Sequence, residues 1–328
     1  MITWNTIFKT RAQDWVHYPM DISQTPGDIP IADIHKDTKY IHVYLKSMRI
    51  VDVRKGLSKF YGAVHSQISV KHRSGKPASF TVVTTPETLA NITSKNIDRV
   101  ILENIRLLGP VPFRGGEMKM EIGLFSIKSE DLAKPFLTLL QDMSKLSGVS
   151  FISSALPYAE TITKGINLIT EGEETTLEIG ISKNFDPVQT GYYVVMRAPQ
   201  DEVDVSSFML GKDFKLLDKN KKPIADYPYF VYQISCTDKR EDWFEIPDVL
   251  IPYKKLQEDT GKGDFNAALE SLKAFKRAVL SCNDLLIDDA KAIISVVETE
   301  AGEAMKTGQV SMRVMPKLKS LSAYKLPA

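Results

Sequence analysis

Glu117 and Lys119 form an acid-x-lysine pair on one face of an expected strand, with Asp98 upstream. Metal-dependent nucleases of the restriction type use such a strand, in which the acids hold Mg²⁺ and the lysine helps position the attacking water. The same alternation, with Met118, Met120 and Ile122 between the polar residues, is also what any half-exposed strand shows, and no basic groove accompanies it. All five histidines (His17, His35, His42, His65, His72) precede residue 73, a clustering that would suit a metal site. No pair of them has the HxxxH spacing of two ligands on one helix face. Cys236 and Cys282 are the only cysteines, too few for a secreted disulfide scaffold and wrongly spaced for zinc. Gly75-Lys76-Pro77 and Gly261-Lys262-Gly263 lack the frame that wraps phosphates, and no serine stands in GxSxG. Asp33, Asp37 and Asp52 lie near the first strands, as calcium ligands do in some sandwiches, but without acidic doublets. The sequence therefore assigns no catalytic residue, no metal ligand and no cofactor.

Two stretches are suited to binding instead. Residues 306–328 carry Lys306, Arg313, Lys317, Lys319 and Lys325 and no acid, and Val310, Met312 and Val314 alternate with Ser311 and Arg313 as in a strand that joins a sheet edge. Val310, Met312, Arg313, Val314, Lys317, Lys319 and Lys325 form the expected partner-binding set, and a basic terminus docked on its own chain is the alternative. The other stretch is a helical stripe, Phe136, Leu139, Leu140, Met143 and Leu146, closed by Gly148. It reads either as core covering a sheet edge or as a surface deployed on a partner or membrane.

These stretches sit among elements that the patterning predicts. Tyr40–Val53, Lys59–Val70 and Ser79–Thr85 read as strands, with Arg73–Pro77 as a hairpin turn between the last two. Residues 97–108 read as a strand stopped by Gly109-Pro110, and 117–127 as the next, with Gly115-Gly116 permitting backbone angles that other residues resist. The apolar phase changes at Phe125, so a bulge or a doubly buried strand end is expected. A helical insertion at about 130–170 follows. Strands resume at Thr176–Ile181, Tyr192–Arg197 and Tyr229–Cys236. Thr260-Gly-Lys-Gly then reads as a joint, followed by two helices, the first capped by Asp264 with the stripe Phe265, Ala268, Leu269, Leu272, Phe275 and Val279. The expected fold is α+β: an antiparallel β-sandwich with a helical insertion and a C-terminal helical hairpin. Residues 1–255 would form the sandwich domain with its N-terminal arm and insertion, and 256–328 the helical hairpin and basic tail.

The chain has 328 residues, 43% of them hydrophobic and 25% charged, and its 42 basic and 41 acidic side chains leave a formal +1. That composition is ordinary for a globular protein and supplies no field to attract nucleic acid. The first residues contain no apolar signal region, and the charge-free run between Lys145 and Glu160 is too short to span a bilayer. The expected role is a cytoplasmic, non-catalytic protein-interaction module: an adaptor, a structural subunit or a partner-controlled effector. A protein partner is expected and nucleic acid is not. The alternatives are a membrane-engaging effector using the 130–170 helices or the tail, and an enzyme with a dispersed active site, such as a metal-dependent nuclease.

Overall fold

The computed structural model describes residues 15–27, 29–49, 54–55, 58–73, 77–83, 101–128, 175–199, 203–311 and 315–326. Its architecture is α+β. One antiparallel sheet contains β1 (Trp15–Met20), β2 (Tyr40–Arg49), β6 (Ile101–Pro112), β9 (Gly191–Arg197) and β12 (Tyr229–Thr237) in the order β1-β9-β12-β2-β6. The other contains β3 (Arg54–Lys55), β4 (Ser58–Lys71), β5 (Pro77–Val83), β7 (Met118–Lys128) and β8 (Thr175–Phe185) in the order β3-β4-β7-β8, with β5 also paired to β4. Their facing sides share one apolar core. Val43, Leu45, Val195, Phe230 and Tyr232 of the first sheet meet Val64, Ile68, Met120, Ile122, Leu124 and Ile179 of the second. Strict alternation places these residues on one face of each strand, and each such apolar side chain removed from water contributes about 1.5–3 kcal/mol. The outer side of the first sheet is partly covered by residues 203–227. There Phe208, Leu210 and Leu216 pack on Tyr192, Val194 and Met196, and β10 (Met209–Leu210) pairs with β11 (Leu216–Leu217).

The passage from β6 to β7 carries the chain from one sheet to the other. Gly115 and Gly116 make it possible, both with left-handed φ (75° and 76°). Gly109-Pro110 does not stop β6, contrary to the expected boundary. Ile41 pairs with Val111 and Val43 with Leu108, so Gly109 and Pro110 form a bulge opposite His42. Gly109 has φ 96°, and a Cβ there would collide with the Ile41 carbonyl oxygen. The neighbouring proline is tolerated because β6 ends the order of this sheet. At the phase change β7 itself has no extra residue and stays in unbroken register with β4, and the irregularity lies in its partner β8. Leu124 pairs with Ile179 and Phe125 with Leu177, which leaves Glu178 of β8 as the extra residue.

Three helices follow: α1 (Pro247–Gly261), α2 (Phe265–Ser281) and α3 (Ile287–Ser311). Asp264 caps α2 by accepting from the Ala267 N–H at 3.0 Å, and Ala268, Leu272, Phe275 and Val279 of its stripe are buried. The change from strand to helix falls between Thr237 and Pro247, so residue 255 lies within α1 and Thr260-Gly-Lys-Gly turns α1 into α2. Val310 lies in α3 and so is not part of a strand, as its alternation with Met312 and Val314 had implied. The stripe on α3 continues from Ala290 to Met305, and the helix runs on past it to Ser311. The expected insertion at about 130–170, with Phe136, Leu139, Leu140 and Met143, lies outside the described residues, as do Met312, Arg313 and Val314.

Buried polar contacts fix the helices to the sandwich. The Tyr40 hydroxyl donates to Asp289 at 2.6 Å and accepts from the Leu286 N–H at 3.0 Å. Arg240, fully buried, contacts Asp242 at 2.7 Å, the Pro110 carbonyl at 2.8 Å and the Asp284 carboxylate at 3.5 Å. Arg114 spans from Asp37 (2.9 Å) to the Leu285 carbonyl (2.6 Å).

Candidate interaction face

The residues picked for nuclease chemistry take part in ordinary strand contacts. Glu117 accepts from the Asn184 side chain at 3.0 Å, and Lys119 pairs with Glu121 at 2.8 Å. Asp98 and Asp52 lie outside the described residues, while Asp33 accepts from Gln189 and Asp37 pairs with Arg114. Among the described residues no group of three His, Cys, Asp or Glu side chains is placed to hold a metal ion. Cys282 is buried, which pushes its thiol up to about 12, and burial raises Cys236 as well. Neither has the thiolate character that a nucleophile requires.

The histidines occupy separate places. His17 stands on β1 at the side of the sandwich, where Lys183 of β8 donates to its Nδ1 at 2.8 Å. Its Nε2–H therefore donates to the buried Tyr232 hydroxyl at 2.7 Å, and the ring stacks on Tyr193 with centroids 5.6 Å apart. Burial, followed by the nearby Lys183 charge, lowers its pKa to about 4. Burial lowers His65 to about 3. His42 falls to about 4, first through burial and then through Arg106 and Arg240. These imidazoles are held neutral, as parts of the scaffold.

On the outer side of the first sheet, alternation along β2 brings His42, Tyr44 and Lys46 into one row. The His42 and Tyr44 rings stack with centroids 6.1 Å apart at 10°. The Lys46 ammonium lies 5.2 Å from the Tyr44 ring and 4.9 Å from the Phe214 ring, and donates to Asn104 at 2.7 Å. Register places Arg106 of β6 beside Tyr44 on one flank and Gln233 of β12 on the other. Arg106 and Asn104 are exposed, and His42, Tyr44 and Lys46 are partly so. Asp238 and Asp242, at one end of this face, are committed to Lys39 and Arg240. Two cationic side chains, Lys46 and Arg106, and the Tyr44 ring thus lie together on one strand pair. Sequence reading missed it because Tyr40–Val53 was read only as a strand. Its signal was the period-two run of His42, Tyr44 and Lys46.

Of the tail residues expected to bind a partner, Lys317, Lys319 and Lys325 are exposed, and Lys319 is paired with Glu300 at 3.0 Å. No helix among the described residues is long and apolar enough to cross a membrane. No protein-family model, curated protein or solved structure matches the chain.

Proposed function

We propose that this protein is a non-catalytic interaction module of the cytosol, and that it binds an acidic partner protein through the His42, Tyr44, Lys46 and Arg106 face. The observation that carries this reading is the row itself. Tyrosine and arginine, the residue types enriched at interface centres, stand side by side across β2 and β6 with a lysine held between two rings. The surrounding strands are paired on both sides of β2, so the face is rigid and little ordering entropy opposes binding.

The test is affinity capture from the native host with the full chain, Tyr44→Ala, Arg106→Glu and a control variant on α3, Lys291→Glu. Loss of the same captured protein from both face variants but not from the control supports the reading. Equal capture by all four proteins overturns it. Binding through this face should also weaken as salt rises, since exposed charges are screened over about 8–10 Å at physiological ionic strength.

A further inference from the structure

The C-terminal segment shows a regularity that neither helix nor strand produces. Met315, Leu318, Leu321 and Tyr324 are buried, and the two residues between each pair of them are exposed. A three-residue period is that of polyproline II or of a 3-10 turn, and both occur here. Ser320 (φ −67°, ψ 150°) and Tyr324 (φ −80°, ψ 132°) are extended, and Leu321–Ala323 makes one 3-10 turn. The segment lies against α1 and α3 as an extended ligand lies in a groove.

The contacts read backbone more than side chain. Gln257 donates to the Leu318 and Lys319 carbonyls at 3.1 and 2.8 Å, and the Tyr253 hydroxyl donates to the Lys319 carbonyl at 2.6 Å. Glu300 accepts from the Lys319 N–H at 2.9 Å and pairs with its ammonium at 3.0 Å. That ammonium also sits 4.2 Å from the Tyr324 ring, whose hydroxyl shares a 2.7 Å hydrogen bond with Tyr253. At the other end Gly308 lets the segment approach α3 closely, since a Cβ there would come within 2.5 Å of the Met315 side chain. Side chains of one unit that satisfy the carbonyls and N–H of an extended segment, with pockets for spaced apolar anchors, are the elements of peptide recognition.

We propose that the α1–α3 groove is a peptide-recognition site held in cis by the chain's own C-terminus. Its ligand in trans is an extended segment of a partner protein with apolar or aromatic anchors at every third residue and a lysine after the second anchor. The site is separate from the β2–β6 face and does not depend on it. A tethered occupant acts at an effective concentration on the order of millimolar, so it masks the groove from a free peptide of equal intrinsic affinity.

The test uses a fluorescein-labelled peptide of residues 313–328, followed by fluorescence anisotropy, with the full-length chain and a full-length Leu318→Asp, Leu321→Asp variant whose own tail can no longer seat. The variant should bind the peptide at least about tenfold more tightly than the unaltered chain does, and Gln257→Ala in the variant should weaken that binding. A peptide carrying the same two aspartates should not bind. A folded variant that binds the peptide no better than the unaltered chain overturns the proposal. If the variant does not fold, a protease site replacing residues 312–314 in the otherwise unaltered chain is cut after folding. The cut tail should then exchange with labelled peptide. A tail that does not exchange, or that leaves without being replaced, overturns the proposal, as does a concentration-dependent dimer of swapped tails that takes up no free peptide.

Discussion

The desolvated imidazoles, His65 buried and His17 and His42 partly so, make acid sensitivity the sharpest stability prediction. His17 and His42 have pKa values lowered from 6.5 to about 4, and His65 to about 3. The unfolded chain binds protons at these positions from about pH 6.5 downward, and the folded chain does so only near pH 4 or below. Their neutral forms therefore support full stability above pH 6.5, and that contribution is lost progressively as pH falls toward the folded values. At pH 5 each shift from 6.5 to about 4 corresponds to about 2 kcal/mol relative to neutral pH. Carboxylates such as Glu258 and Asp259, held low by their lysine partners, lose their contribution only below the ordinary carboxylate range. The window from pH 6.5 to 5 therefore isolates the histidines. Urea denaturation followed by far-UV circular dichroism should show a midpoint that falls steeply across that window. His17→Gln, which can still hydrogen-bond Tyr232, should reduce the proton uptake on unfolding at pH 5 by about one. A midpoint that is flat between pH 6.5 and 5, or a His17→Gln slope equal to that of the unaltered chain, refutes the reasoning.

Other substitutions probe the joints of the fold. Tyr40→Phe leaves Asp289 and the Leu286 N–H without their hydroxyl partner and should cost about 1–3 kcal/mol in chemical denaturation. Arg240→Met leaves the fully buried Asp284 without its cation and should cost about 3–5 kcal/mol, or abolish soluble expression. Gly109→Ala should destabilise by on the order of 3 kcal/mol, because the Ile41 carbonyl occupies the space and φ is positive. Leu140→Asp tests the stripe proposed at 130–170: an insoluble or unfolded product supports a core role, and a stable soluble one supports a deployed surface. Glu117→Gln should leave incubation of DNA or RNA with Mg²⁺ unchanged, and cleavage by the unaltered protein that the substitution removes would restore the nuclease reading.

What was legible in the sequence was the part set by local periodicity. Over part of β2 and β7 apolar residues recur at every second position, as in Ile41, Val43 and Leu45 or Met118, Met120, Ile122 and Leu124, and these are the residues buried between the sheets. Helix α2 announced itself by Asp264 and a regular stripe. Helix α1 did not. Pro247 opens it and Pro252 stands inside it, and prolines at this density read as loop, although Pro247 at the first helical position suits a helix start. The end of β6 was misplaced for a related reason. Gly109 and Pro110 usually end a strand, yet here they serve a bulge whose need is set by β2 and by Arg240, both distant in sequence.

The tail shows how the choice of period decides a functional reading. Val310, Met312 and Val314 invite a period of two and hence a strand seeking a sheet edge, whereas the three-residue spacing of Met315, Leu318, Leu321 and Tyr324 stands just beyond them. The backbone of the second run is the one whose partners are seen. An isolated extended segment leaves its carbonyls to water, and here Gln257 and Tyr253 supply donors to two of them. Those donors come from a helix 61 to 66 residues upstream, and neither residue forms a motif, so no reading of the tail alone would have found them. Of the exposed lysines that suggested an outward-facing surface, Lys317 and Lys319 stand between anchors and Lys325 follows the last one. Of these, Lys319 turns back to Glu300 and the Tyr324 ring. The Lys319 charge thus contributes to docking the segment on the helices.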